Sequence, residues 1–276
     1  MIMSIRFTKM HALGNDFMVI NALHQTVGFT PRQIAKLADR HTGVGFDQCL
    51  IVAKSHDPDI DFLYRIYNAD GSEVGQCGNG ARCLARFIHQ QGLSDKMTIT
   101  VATPTTRMTL HINLDQTVTV DMGCPRWNVN VNTALPRIEQ IELEQHTYSF
   151  YEVDMGNPHA VILTDDLNEA PVQTVGKQLS THPFFPHQCN IGFMHILNPN
   201  HIQCRIYERG CGETNACGSG AVAAAAIGSL IYGLSKEITV TLPGGDVSIY
   251  WPDHSGHIFL TGSAYFVYDG VLLNIS

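Results

Sequence analysis

Hydrophobic and polar positions alternate in short runs along most of the chain, and two such runs stand out. Ile60-Asp61-Phe62-Leu63-Tyr64-Arg65-Ile66-Tyr67 and His201-Ile202-Gln203-Cys204-Arg205-Ile206-Tyr207 are rich in aromatic and β-branched residues and read as strands. Shorter runs of the same kind predict strands at Phe17–Ala22, Thr98–Thr103, Thr117–Met122, Phe150–Asp154, Val161–Thr164, Ile238–Leu242 and Ile258–Thr261. Helical spacing appears at Pro31–Arg40, Ala81–Gln90, Val172–Ser180 and Ala221–Ile231. The last of these is alanine-rich and reads as a packed helix. Strands and helices mixed in this way define an α+β fold.

The pattern occurs twice. Arg65-Ile66-Tyr67 recurs as Arg205-Ile206-Tyr207, Glu73 as Glu213, and Cys77-Gly78-x-Gly80-Ala81 as Cys217-Gly218-x-Gly220-Ala221. That is eight identities at one offset of 140 residues within a 17-residue window. Gly14-Asn15 returns as Gly156-Asn157 at an offset of 142, and Gln48 falls where Asn190 stands. Self-similarity at a fixed spacing signals a duplicated unit. Two pseudo-symmetric domains of the same design are expected, facing one another with the active site in the cleft between them. The first spans 1–122 and carries Cys77, completed by the C-terminal segment 264–276; the second spans 123–263 and carries Cys217.

Each of these cysteines follows a strand and a Gly-rich turn and stands at or beside a helix N-terminus. There, unpaired N–H groups and the positive end of the helix dipole favour a thiolate and form an anion site. The bare glycines 78, 80, 218 and 220 let a ligand approach the backbone. Two such elements, one from each half, suit racemisation: one sulfur removes an α-proton as thiolate and the other returns a proton to the opposite face as thiol. Such a pair titrates together. The carbanion needs stabilisation, and the helix N–H groups are its candidate source at the substrate carboxylate. No pyridoxal-type lysine motif is visible, although sequence alone leaves a lysine Schiff base open.

Composition narrows the alternatives. The 276 residues are 44% hydrophobic and 15% charged, an ordinary globular balance. The net charge of −8 without a basic run argues against nucleic acid. No apolar run nears the roughly 20 residues of a membrane span, and Met1–Arg6 lacks a signal-peptide core, so a cytoplasmic location is expected. Eight cysteines in such a chain read as reduced thiols. Cys49, Cys83, Cys124, Cys189, Cys204 and Cys211 read as core packing. Cys77/Cys83 and Cys211/Cys217, six apart, invite a zinc reading, but structural zinc favours closer pairs, so no metal is expected. A thiol redox protein also wants activated cysteines but has no use for two anion-binding turns.

The motifs His11-Ala12-Leu13-Gly14-Asn15-Asp16-Phe17, Asn68-Ala69-Asp70-Gly71-Ser72, Gln76-Cys77-Gly78-Asn79-Gly80-Ala81-Arg82-Cys83, Gly156-Asn157-Pro158-His159 and Tyr207-Glu208-Arg209-Gly210-Cys211-Gly212-Glu213-Thr214-Asn215-Ala216-Cys217-Gly218-Ser219-Gly220 together resemble the diaminopimelate epimerase family. Thr261-Gly262-Ser263-Ala264 resembles its closing motif, with Ser263 where proline is common, and Ser219 stands where threonine is frequent. The resemblance spans essentially the whole chain. It implies interconversion of LL- and meso-2,6-diaminopimelate without pyridoxal phosphate or metal, in lysine and peptidoglycan precursor synthesis, by a homodimer. It assigns Cys77 and Cys217 as the acid–base pair. Gly78, Asn79, Gly218 and Ser219 become backbone donors to the reacting carboxylate. Asn15, Gln48, Asn68, Asn157, Asn190, Glu208 and Arg209 become substrate contacts, and His159 and Glu208 become groups that tune the sulfurs. A racemase of the proline racemase kind is the nearest rival; Asn68 and the Tyr207-Glu208-Arg209 segment favour diaminopimelate.

Overall fold

A computed structural model describes residues 4–127 and 135–273. Two compact units divide the chain, Met1–Val120 with Gly262–Ser276 and Asp121–Thr261.

In the first unit the order is β1 (Ile5–Ala12), β2 (Asn15–Asn21), α1 (Pro31–Ala38), β3 (Gln48–Lys54), β4 (Phe62–Asn68), β5 (Glu73–Val74), α2 (Gly78–Gln90), β6 (Thr98–Ala102), β7 (Arg107–Ile112) and β8 (Val118–Asp121, whose last residue begins the second unit). The second unit contains β9 (Ile138–Leu143), β10 (His146–Asp154), β11 (Pro158–Leu163), α3 (Val175–Ser180), β12 (Asn190–Asn198), β13 (His201–Glu208), β14 (Gly212–Thr214), α4 (Gly218–Tyr232), β15 (Glu237–Leu242), β16 (Gly245–Tyr250) and β17 (Phe259–Gly262, whose last residue returns to the first unit). The chain then re-enters the first unit as β18 (Tyr265–Leu272).

The internal pairing of the two units matches strand for strand. β1 pairs antiparallel with β2, β2 parallel with β3, β3 antiparallel with β4, and β4 parallel with β6. β10, β11, β12, β13 and β15 repeat that sequence of orientations. The register repeats too: Phe17 lies opposite Gln48 in one unit, and His159 opposite Asn190 in the other. The outer neighbour differs in origin, since β18 flanks β1 whereas β9 flanks β10.

Local sequence explains the helices. Thr30 accepts from the Gln33 N–H while the Gln33 side chain accepts from the Thr30 N–H, a capping box with Pro31 in the first turn. α1 packs Ile34 and Ala38 into a core with Met18, Ile20, Phe46, Cys49 and Ile51. α3 supplies Val175 and Leu179 to the corresponding core with Phe150, Ile162 and Phe193. α2 runs against β1, β2, β3 and β7, and α4 against β10 to β13, β15 and β16. The α4 residues from Gly220 to Ser229 are all buried, and their small side chains let strands pack on several sides at once.

Several expectations from sequence need correction. The cysteine-led helices begin at Gly78 and Gly218, not at Ala81 and Ala221, because the glycines form the first turn behind the cysteine caps. The first helix stops at Ala38 because Asp39 turns extended, and the third begins at Val175 because 172–174 form a turn. The sequence reading also missed strands β1, β3, β7, β9, β12, β16 and β18 and the short β5 and β14. Several of these are held by partners far away in sequence, as β1 is by β18, so local pattern signals them weakly.

The turn that ends β4 depends on a glycine. Gly71 has φ +86°, and an added Cβ would lie 2.3 Å from the Pro31 carbonyl oxygen. Both the left-handed backbone and the contact with rigid main chain oppose a side chain. Gly71→Ala is expected to cost about 3 kcal/mol of stability, read as a lowered denaturation midpoint with unchanged slope.

Candidate active site

In the first unit, Cys77 is the N-cap of α2, with φ −153° and ψ 106°, and its sulfur accepts from the Gly80 N–H at 3.2 Å. Gly80 is required here: a Cβ would sit 2.4 Å from the Tyr64 hydroxyl and 3.3 Å from the Cys77 sulfur. Asn79, in the first turn, donates from Nδ2 to Asn15 Oδ1 at 3.3 Å. Asn15 opens β2 and donates to Asp47 Oδ2 at 2.9 Å. Gln48, opening β3, lies opposite Asn68, which ends β4, and donates to its Oδ1 at 2.9 Å. Asn68 is braced in turn by donating to Ser72 Oγ at 3.2 Å.

Charged groups hold this arrangement from behind. Lys9 and Arg40 both bind the Asp16 carboxylate, at 2.6 and 2.8 Å, and Arg40 also reaches Asp47 at 2.7 Å. Burial alone pushes the Asp16 carboxyl upward, but the bonds from Arg40 and then Lys9 outweigh it and hold it down at about 2. Lys9 also donates to the Gly45 carbonyl. Arg82, fully buried on α2, donates from Nη2 to Asn79 Oδ1 at 2.9 Å. Its Nε and Nη1, like the buried Tyr64 hydroxyl, have no hydrogen-bond partner among the described residues.

In the second unit, Cys217 caps α4 with φ −121° and ψ 105°. It is 4% exposed and lies 3.7 Å from Ser219 Oγ. Asn157, just before β11, donates to Ser219 Oγ at 3.3 Å, the counterpart of the Asn15–Asn79 contact. His159 Nε2 lies 3.0 Å from the same hydroxyl and 3.2 Å from Asn157 Oδ1. Asn190, opening β12, donates to the Pro158 carbonyl at 3.2 Å and accepts from the Arg209 N–H at 3.0 Å. Glu208, ending β13, accepts from Thr214 Oγ1 at 2.5 Å, and its carboxyl also engages the Cys217 thiol. The Arg209 side chain is exposed and donates to the His187 carbonyl at 3.0 Å.

Each unit thus gathers its own share of the predicted residues: Cys77, Gly78, Asn79, Asn15, Gln48 and Asn68 in one, and Cys217, Gly218, Ser219, Asn157, His159, Asn190, Glu208 and Arg209 in the other. Two expectations fail. A helix N-terminus was expected to favour a thiolate at both cysteines, yet burial, and after it the Glu208 carboxylate, push the Cys217 thiol well up, against opposing hydrogen bonds from Gly220 and Ser219. Cys124 and Cys211 were read as core but are exposed, whereas Cys49, Cys83, Cys189 and Cys204 are buried. Sequence reasoning also missed Arg82, Asp47 and Tyr64. Arg82 lies inside the quoted cysteine motif, but nothing local says that its charge is buried. Among the described residues, no three metal-ligating side chains converge and no helix is long and apolar enough to cross a membrane.

The repeat exposes an asymmetry of charge. At the offset of 142, Phe17 stands where His159 is, and at 140, Asn68 stands where Glu208 is. Two titratable groups, Glu208 on the Cys217 thiol and His159 on Ser219, therefore stand where the first unit has an amide and a phenyl ring. Burial, and then the Arg209 charge, push His159 down to about 3, so it is neutral at physiological pH. Its folded-state value lies below its unfolded one. Its contribution to stability is therefore complete above about pH 6.5 and is lost as the pH falls toward 3. Stability is expected to decline by up to about 1.4 kcal/mol per pH unit in that window on account of this group. His159→Phe, which copies Phe17, should flatten that slope in urea titrations between pH 4 and 7.

A duplicated α+β fold with a cysteine-capped helix in each copy defines the class of protein. Solved structures share this fold at low sequence identity. A hydroxyproline epimerase from Agrobacterium vitis has a TM-score of 0.73 at 13% identity, with 98% of this chain and 92% of that one covered. A PhzF-family phenazine biosynthesis protein from Bacillus anthracis has a TM-score of 0.70 at 16% identity, covering 98% and 99%. The family model described as diaminopimelate epimerase matches residues 7–128 and 151–267. Diaminopimelate epimerases of Legionella pneumophila strains Paris and Philadelphia 1 are each 54% identical over 99% of this chain and 100% of their own length. The chain belongs to the diaminopimelate epimerase family.

Proposed function

We propose that this chain interconverts LL- and meso-2,6-diaminopimelate by a two-base mechanism, with Cys77 and Cys217 acting on one α-carbon. The observation that carries the reading is the pair of equivalent helices, each capped by a cysteine within a Cys-Gly-x-Gly-Ala turn, in a chain 54% identical to diaminopimelate epimerases along nearly its full length.

The chemistry follows from the groups present. One sulfur, as thiolate, takes the α-proton, and the electron pair moves into the adjacent carboxylate as enolate-like charge. The N–H groups of Gly78 and Asn79 and of Gly218 and Ser219 lie in the first turns of α2 and α4, where charge of that sign is stabilised. The other sulfur, as thiol, then protonates the opposite face. The high pKa of Cys217 suits it to be the resting acid, which leaves Cys77 as the resting base; in the reverse direction the roles exchange. Glu208 and His159 set the state of Cys217, Glu208 through its charge and His159 as a neutral ring on Ser219. Nothing in this sequence of steps calls on pyridoxal phosphate or a metal.

The distal head of diaminopimelate also needs recognition. Arg209 suits its carboxylate, and Asn15, Gln48, Asn68, Asn157 and Asn190 add polar contacts, with Glu208 accepting from an ammonium. The same reading makes the protein a cytoplasmic homodimer that serves lysine and peptidoglycan precursor synthesis. The direct test is incubation of LL-diaminopimelate with purified protein in D2O without added cofactor. Deuterium at one α-carbon of a meso product is expected. A requirement for pyridoxal phosphate, or the absence of any turnover by reduced protein, would overturn the reading.

A further inference from the structure

We propose that Arg82 and Asp47 are positioning residues that together fix which way the side-chain amides of Asn79 and Asn15 point. The proposal deepens the reading above and rests on it for the role of Asn15 as a substrate contact and of the Asn79 turn as a donor to the reacting carboxylate.

A carboxamide has a donor end and an acceptor end of nearly the same shape, so only its neighbours decide its orientation. Here the neighbours form one continuous chain. Arg82 Nη2 donates to Asn79 Oδ1 at 2.9 Å, Asn79 Nδ2 donates to Asn15 Oδ1 at 3.3 Å, and Asn15 Nδ2 donates to Asp47 Oδ2 at 2.9 Å. The ends have fixed polarity. A guanidinium can only donate and an ionised carboxylate can only accept. Turning over either amide alone sets donor against donor on one side and acceptor against acceptor on the other. Turning over both leaves a clash at each end. One arrangement therefore satisfies the whole chain, and it holds the amino edges of Asn79 and Asn15 as donors, the polarity that suits a carboxylate.

Both ends are themselves anchored. Arg82 is fully buried on α2. Asp47 is held by Arg40 at 2.7 Å, and its carboxylate also accepts from the Asp16 N–H at 3.1 Å. Among the described residues the second unit has no such device. Val222 stands at the position of Arg82, Cys189 at that of Asp47 and Ser219 at that of Asn79. Its Asn157 meets a hydroxyl and an imidazole, each able to donate or accept. The clamp therefore belongs to the Cys77 half alone.

The test compares hydrogen-bond polarity at one position. Arg82→Gln replaces a pure donor by an ambivalent amide, whereas Arg82→Lys keeps a pure donor. Arg82→Gln is expected to lower kcat/KM for diaminopimelate about tenfold, the scale of one hydrogen bond to a charged group, with Arg82→Lys within about threefold of wild type. In an Asn79→Ser background, which copies Ser219, Arg82→Gln should add less than about twofold, because no amide remains for it to orient. Ligand-free protein gives a second readout. Hydrogen exchange of the 15N-labelled Asn15 side-chain amide should accelerate about tenfold in Arg82→Gln, and likewise in Asp47→Ala at the exposed end of the chain. If Arg82→Gln fails to fold, Asp47→Ala supplies the decision. Equal loss in Arg82→Lys and Arg82→Gln, additive effects with Asn79→Ser, or unchanged Asn15 exchange in Asp47→Ala would each overturn the proposal. If wild-type protein does not turn over diaminopimelate while the exchange rates respond as expected, the clamp stands and the assignment of substrate falls.

Discussion

Removing either active-site sulfur is expected to stop epimerisation. In Cys77→Ala and in Cys217→Ala, kcat should fall by about a thousandfold or more, within the range for loss of a positioned acid–base group. Two features make the two variants informative together. Cys77 is partly exposed and its sulfur caps one N–H, so its loss costs about 1 kcal/mol of stability and leaves the fold intact. Cys217 is buried with a carboxylate beside it, so its loss removes the acid without uncovering a new charge. Each variant retains one sulfur and should still exchange the α-proton of one stereoisomer with D2O, the two variants differing in which one. Measured turnover near the wild-type rate in either variant would remove that residue from the mechanism. Exchange of both stereoisomers by both variants would point to a single base that reaches both faces.

The second large effect concerns the distal end of the substrate. Arg209→Leu is expected to reduce kcat/KM for diaminopimelate by about a hundredfold to a thousandfold, the range found when one partner of a buried charge pair is truncated. The guanidinium is exposed and donates to the His187 carbonyl, so melting should change little. The discriminating control is an α-amino acid without a second head. If Arg209 grips the distal carboxylate, any slow exchange of such a compound should be insensitive to the substitution. A racemase of small cyclic amino acids would show the opposite: a modest effect of Arg209→Leu and turnover of proline.

The asymmetry between the two copies bears on both expectations. Duplication by itself produces two equivalent cysteines, but the two-base reaction proposed above needs them in opposite protonation states. Substitution has made their surroundings differ. Glu208 engages the Cys217 thiol and His159 lies on Ser219, whereas Asn68 and Phe17 occupy the equivalent positions in the first unit. A carboxylate raises the pKa of its neighbouring thiol, and an amide does not.

Much of this was legible in the chain. The duplicated Cys-Gly-x-Gly-Ala turn, the strand before it and the helix after it follow from side-chain spacing and glycine, which act over a few residues. So do the capping box of α1 and the α+β character. What local pattern left undecided depends on residues far apart. β1 finds β18 more than 250 positions away, and no short-range preference encodes that pairing. Arg82 lies in a helix whose sequence alternates charge and hydrophobic groups, yet it is fully buried because α2 packs against several strands. The helix dipole argued for a thiolate at both caps, an argument that holds for an exposed sulfur. At Cys217 the surrounding core and Glu208 reverse it. The sequence alone determined the kind of chemistry, through which side chains stand at which turns. Tertiary structure decided the state of those side chains, because desolvation and the field of neighbouring charges depend on everything packed around a group and not on its place in the chain.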